Sequence, residues 1–267
     1  MQDLTVTLVQ ADQIWENIQA NLDHYDELIS KVEQTDLIVL PEMFQTAFSM
    51  NTSLAEDMNG PSIAWLKKTA SEKNCAIYTS LMISENDTFY NRGVFVFPSG
   101  ELATYDKRKT FGLANENDYF TAGEKEQIVS WKGWNIQLQI CYDLRFPEIC
   151  RNRITQNGEA AYDLILYVEI WPEKRSAHWK ALLKARAIEN QSYLIGVNRV
   201  GVDANDFSYS GDSKVINALG EEHKLPPKLE ICDSHVISKA ELFKIREMLP
   251  FLRCLLYTSP SPRDSSP

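Results

Sequence analysis

Apolar residues follow two rhythms along this chain, and the rhythm changes mark out its elements. Leu4-Thr5-Val6-Thr7-Leu8-Val9 alternates as a strand does, after which Ile18, Leu22, Tyr25 and Ile29 recur at helical spacing. Leu37-Ile38-Val39-Leu40 is a short apolar run stopped by Pro41, which predicts a buried strand. Pro61 opens a predicted helix containing Ile63, Trp65 and Leu66. Strands are predicted over 75–78, over 91–97 and, across the turn Pro98-Ser99-Gly100, over 102–105. Residues 134–140 alternate up to Cys141, and 142–148 read as a turn running into a helix. A strand follows over 163–168, a helix over 179–189, strands over 193–200 and 209–217, and a last helix over 239–248.

Strands and helices thus alternate, with hairpins mixed in. The expectation is a layered α/β domain with helices on both faces. No break in composition and no short-period repeat divides residues 1–252, so they are read as one domain. Residues 253–267 are set apart as a tail. From Tyr257 onward they are mostly Ser and Pro, a composition that cannot build a packed element. The tail is expected to be disordered and not native to the fold, as a read-through beginning near Cys254 would be.

Composition narrows the function. At 267 residues and 44% hydrophobic content the chain can bury a large core. Its net charge is −10 and it holds no dense Lys/Arg run, which argues against nucleic acid or an anionic membrane as partner. Five cysteines, an odd number without a C-x-x-C pair, argue against a disulfide framework and a structural zinc site. The start lacks the basic and apolar regions of a signal peptide, and no apolar run is long enough to span a bilayer. The chain is expected to be cytoplasmic.

Cys141 stands at a strand-to-helix join, where a turn lifts the side chain off the sheet edge and backbone N–H groups can meet an oxyanion. An isolated cysteine is more often an inert buried thiol. Its usual partner, histidine, is not tied to a strand end at any of positions 24, 178, 223 and 235. Glu42, directly after the strand over 37–40, occupies a place where open α/β folds carry functional groups, although acids there are often solvated. Lys107, after the strand over 102–105, and Glu116, in the following loop, would each read as a surface charge if taken alone.

Their combination is more specific. Leu-Pro-Glu at 40–42, Tyr-x-Lys at 105–107 before a loop acid, and Cys-Tyr-Asp-Leu-Arg-Phe-Pro-Glu at 141–148 occur in that order. In these motifs the chain resembles the nitrilase, or carbon–nitrogen hydrolase, superfamily, over about residues 4–252. Trp171-Pro172-Glu173-Lys174-Arg175, Ala185-Arg186-Ala187-Ile188-Glu189-Asn190 and Tyr209-Ser210-Gly211-Asp212-Ser213 look most like its omega-amidase branch. The resemblance implies a four-layer α-β-β-α sandwich of two packed mixed sheets. It implies Cys141 as nucleophile, Glu42 as base, Lys107 as oxyanion donor and Glu116 as their support. It implies hydrolysis of a small omega-amido acid of the 2-oxoglutaramate or succinamate type. Another small amide, a carbamoyl compound or a nitrile is the alternative, and an inactive binding protein a further one. No metal or cofactor is implied.

The resemblance also implies a homodimer, which the altered C-terminus puts in doubt. Tyr142, Arg145, Trp171 and Glu169 are the expected substrate-binding residues. Arg145 could instead pair with Asp143 or Glu148, and that structural role is favoured. Three positions depart from the branch. Lys109 stands where histidine is common, and Glu169-Ile170 stand where small or amide residues are expected. A glutamate in the pocket would repel an anionic substrate.

Overall fold

Alternation decides which way each strand faces, and in this chain most strands have two apolar faces to cover. A computed structural model of the protein describes residues 2–254. Its elements run β1 (Leu4–Gln10), α1 (Ile18–Ser30), β2 (Leu37–Val39), α2 (Pro61–Lys73), β3 (Ala76–Glu85), β4 (Thr88–Val96) and β5 (Leu102–Asp106) in the first half. A short helix α3 (Glu116–Tyr119) leads to β6 (Ile128–Trp131), β7 (Trp134–Ile140), β8 (Leu164–Glu169), α4 (Ser176–Asn190) and β9 (Tyr193–Asn198). Then come β10 (Val200–Val202), β11 (Ser208–Ser210), β12 (Lys214–Ile216), β13 (Glu222–Lys224), β14 (Ile231–Ile237), α5 (Lys239–Met248) and α6 (Phe251–Cys254).

Two six-stranded sheets result, ordered β14-β1-β2-β3-β4-β5 and β13-β12-β9-β8-β7-β6, with β10-β11 as a separate pair. They share a plan. Each has three parallel strands at its centre, β1-β2-β3 in one and β7-β8-β9 in the other, flanked by antiparallel strands. On the first sheet Leu4, Val6, Leu8, Leu37, Val39 and Tyr78 face the second and pack with its Ile136, Leu138, Ile140 and Leu164. The alternate residues Val9, Ile38 and Ile77 turn outward onto Leu22, Tyr25 and Ile29 of α1 and Ile63, Leu66 and Ala70 of α2. On the far side α4 packs against β9 and β12. It comes so close that a Cβ on Gly196 would sit 2.7 Å from Leu183 and 2.8 Å from Trp179. This is the four-layer α-β-β-α sandwich. Tyr78 fastens the sheets together by donating its hydroxyl to the Gln139 carbonyl at 3.0 Å.

Several boundaries differ from the sequence reading. The run after Cys141 is not an α-helix but two 3-10 turns, Cys141–Arg145 and Pro147–Ile149, because Pro147 cannot donate to a continuing helix and disfavours helical backbone at Phe146. The segment 209–217 is two strands, β11 and β12, split at Gly211 and Asp212, both with positive φ. Three strands lacked a legible signal: β6, β13 and β14. β14 is an edge strand whose Asp233, Ser234 and His235 hide its pattern, yet it pairs along its whole length with β1, from Leu4↔Ile237 to Gln10↔Ile231. At the other end α6 runs two residues beyond the expected boundary at 252, and Leu252 donates to Gln191 at 3.1 Å. The remainder of the expected tail, residues 255–267, lies outside the described residues.

Candidate active site

Residues that follow parallel strands of the two sheets meet at one place, joined by residues after the antiparallel β5 and at the start of α3. Glu42 follows β2, Lys107 follows β5 and Cys141 follows β7, while Glu116 opens α3. Strand ends in open α/β sheets present side chains and free backbone N–H groups to a common crevice.

Glu42, Lys107 and Glu116 are all fully buried. The Lys107 Nζ donates to Glu42 Oε1 at 2.8 Å and to both oxygens of Glu116 at 2.9 Å. Asn91, on β4, donates its Nδ2 to Glu42 Oε1 at 2.7 Å and to Glu116 Oε1 at 3.0 Å. The second oxygen of Glu42 accepts the Ile170 N–H at 3.0 Å. Burial works against the charge on Lys107, but Glu116 and Glu42 outweigh it and hold the ammonium well above the usual lysine range. One cation therefore bridges two acids, whose remaining contacts come from the Ile170 and Phe111 N–H groups.

Cys141 is buried and has φ of 45°, a left-handed backbone that a cysteine adopts only at some cost. Asp143 holds the bend. Its Oδ2 accepts the Ile140 N–H at 3.1 Å and the Tyr105 hydroxyl at 2.8 Å, and its Oδ1 accepts the Lys109 N–H at 2.9 Å. Burial pushes the Asp143 carboxyl up to about 7, against the pull of Lys107 and these donors. Burial and then Glu42 push the Cys141 thiol well above its usual range, with Lys107 opposing them. The resting sulfur is thus held as a thiol, with Glu42 near enough to act on it electrostatically.

Cys141 forms the floor of a cavity of about 620 Å³, walled by Tyr142, Trp171, Phe111 and Phe48. Arg145 and Arg175 line it as well. The Arg145 guanidinium lies 4.5 Å over the Trp171 ring and that of Arg175 5.3 Å over Phe111. Among the described residues neither forms an ion pair with an acid. The structural pairing expected for Arg145 is therefore not made: Asp143 is occupied elsewhere, and Arg145 meets His178 and Trp171 instead. Glu169 also differs from its expectation. It is fully buried and does not line the cavity, which its neighbour Ile170 does. Both Glu169 oxygens lack a nitrogen or oxygen partner.

None of the four histidines joins Cys141. His24 pairs with Glu230, His223 with Asp233, His235 stacks on His223, and His178 meets Arg145. Among the described residues no cluster of three or more His, Cys, Asp or Glu side chains could hold a metal ion. Lys109, at the position where histidine was noted, sends its Nζ 4.9 Å over the Phe146 ring.

The family model for carbon-nitrogen hydrolases matches residues 5–228. The chain belongs to the carbon–nitrogen hydrolase family. Its relatives in this family include the omega-amidase YafV of Yersinia enterocolitica, 43% identical over 221 residues that cover 83% of this chain and 84% of that one. The 2-oxoglutaramate amidase of Bacillus subtilis is 29% identical over 92% of this chain and 95% of its own. A crystal structure of a CN-hydrolase superfamily protein from Xanthomonas campestris superposes with a TM-score of 0.93 at 40% identity, covering 95% of this chain and 97% of that one.

Within the family framework, sequence reasoning missed Asn91, Asp143 and Arg175. Asn91 was visible only as part of a strand, Asp143 only as a partner for Arg145, and Arg175 only within a motif.

Proposed function

We propose that this protein is an omega-amidase that hydrolyses a small amido acid, of the 2-oxoglutaramate or succinamate type, to the acid and ammonia. The observation that carries this reading is the pairing of two features in one cavity. Cys141 on its floor faces the Glu42–Lys107–Glu116 cluster, and two arginines without acid partners stand in its wall. An omega-amido acid has a scissile amide at one end and a carboxylate at the other, which matches that layout. Relatives bearing the names omega-amidase and 2-oxoglutaramate amidase support the same reading.

The steps follow from the positions. Cys141 Sγ attacks the amide carbon while its proton passes to Glu42. The tetrahedral oxyanion is received by the Tyr142 N–H, at the start of a turn where N–H groups have no partner within the turn, and by the Lys107 ammonium, which turns to it one of the N–H groups shared between the two Glu116 oxygens. Collapse breaks the C–N bond, Glu42 returns its proton to the nitrogen, and ammonia leaves. A thioester on Cys141 remains. Water then attacks the thioester carbon, giving a proton to Glu42, and the departing sulfur takes that proton back. Glu116 keeps Lys107 charged and in place throughout. No step calls for a metal or cofactor.

No helix among the described residues is long and apolar enough to cross a membrane, and all five cysteines are free, which supports a reducing, cytoplasmic setting. The homodimer implied by the family resemblance is part of the same proposal, and light scattering tests it.

Ammonia release measured over a panel of amides tests the function, together with the mass of the Cys141 peptide after rapid quenching. Turnover of 2-oxoglutaramate or succinamate with an acyl adduct on Cys141 is expected. Turnover of only a neutral amide, a carbamoyl compound or a nitrile would move the reading to the alternative. No turnover, with Cys141 no more reactive to a thiol electrophile than the other cysteines, would leave a binding protein on the same fold.

A further inference from the structure

One buried acid beside the sulfur has no part in these steps. Glu169 is the last residue of β8, and β8 runs parallel to β7 with Val168 opposite Ile140. One residue further along both strands, that register sets Glu169 beside Cys141. The groups around it are Cys141 and Asp143 beyond β7, Glu42 beyond β2, Lys107 beyond β5, and Asn198 opposite it on β9. Lys107 is occupied by Glu42 and Glu116, and Asn198 donates to the Trp171 and Gly211 carbonyls.

An ionised Glu169 would thus be a buried charge without a nitrogen or oxygen donor, with Glu42 close by. Buried charge in that state is strongly disfavoured, and two neighbouring acids do not both ionise readily. Burial first, and then Glu42, hold its carboxyl well above the usual carboxylate range. The neutral acid has one O–H to donate. Cys141 is its neighbour at the site, and once the thiol has lost its proton the sulfur can only accept a hydrogen bond.

We propose that Glu169 stands as a neutral carboxylic acid that turns its O–H to the Cys141 sulfur as charge builds there, stabilising the thiolate both as it attacks and as it departs from the thioester. Glu169 neither gains nor loses a proton in the cycle. When the thiol proton goes to Glu42, charge builds on the sulfur and the Glu169 hydrogen bond becomes charge-assisted. When the thioester breaks, the same bond receives the leaving thiolate.

The inference rests on Cys141 being the nucleophile, which the acyl adduct in the wild-type enzyme tests separately. Its own test is the rate of Cys141 alkylation by iodoacetamide at neutral pH, read by peptide mass spectrometry. Glu169→Gln keeps a donor and is expected to react within about fivefold of wild type. Glu169→Leu fills the space without a donor and is expected to fall by about 10- to 100-fold, the range for a hydrogen bond to a charged group. A Leu variant as reactive as wild type, or a Gln variant as impaired as Leu, would overturn the assignment.

If neither variant folds, the wild-type protein decides by infrared difference spectroscopy before and after Cys141 alkylation. Recorded on the alkaline side of pH 7, where Asp143 is charged, a protonated-carboxyl C=O band is expected to shift. An unchanged spectrum in that region would overturn the proposal equally.

Discussion

Glu42 and Glu169 end strands of opposite sheets, both fully buried around Cys141, and they are held in contrasting ways. Glu42 comes from the first sheet with an ammonium, an amide and a backbone N–H upon it. Glu169 comes from the second sheet with no nitrogen or oxygen partner at all. The two acids have the same chemistry, so the partners that each sheet supplies decide their roles. The first sheet builds a cluster that can hold charge and pass a proton. The second presents a strained thiol and an acid that stays neutral beside it. The contrast teaches that a low-dielectric site divides labour between like groups by the donors around them rather than by residue type.

The contrast can be broken from either side. The largest expected effect is that of Cys141→Ala, which should reduce ammonia release by about 10⁴-fold or more while leaving the melting temperature close to wild type. Glu42→Gln retains the shape of the cluster and removes the proton acceptor, so kcat should fall by about 10²- to 10⁴-fold. Acyl-enzyme trapping with a slow amide would show whether both halves of the reaction suffer. Lys107→Met leaves Glu42 and Glu116 buried without their cation, and should cost about 3–5 kcal/mol in chemical denaturation. A variant as stable as wild type would show that the first sheet's cluster is not the ion network described.

Smaller effects sharpen the picture. Arg145→Leu should raise KM for amides that carry a carboxylate by about 10- to 100-fold and leave neutral amides unchanged, in steady-state assays over both classes. Asp143→Asn tests the elbow. The folded-state carboxyl, at about 7, lies above its usual value near 3.8, so the protonated form favours folding. That contribution is complete below about 3.8 and is lost as pH rises through about 7. The Asn variant should lose this part of the pH dependence of stability. It should also be about 1–3 kcal/mol less stable above pH 7, where the carboxylate accepts all three donors and the amide cannot.

The four central side chains were legible through the order of their motifs and the family resemblance, since Lys107 and Glu116 taken alone read as surface charges and Cys141 as an inert thiol. The two-sheet plan was legible as well, through alternation and the family resemblance. Partners were harder. Asn91 reaches Glu42 and Glu116 only because β4 lies between β3 and β5 with a particular register, and register is a long-range property. Glu169 was placed in the pocket by its position just before Trp171-Pro172, and β8, apolar on both faces, carries no parity that would have corrected it. Arg145 was assigned to Asp143 or Glu148 by closeness in sequence, whereas Asp143 is claimed by Tyr105 from the other sheet. The helix expected after Cys141 failed because Pro147 outweighs the helix-forming residues around it.

The pairing of β1 with β14 joins residues 4–10 to residues 231–237, the two ends of the folded chain. During synthesis, β1 must therefore wait with one edge unpaired until residues 231–237 have emerged. An open edge rich in Val and Leu is a template for stray strand addition, and contacts so distant in sequence form late. The step that completes the first sheet is thus the closing of the chain upon itself, and it sets the interval in which the nascent enzyme is most exposed to aggregation.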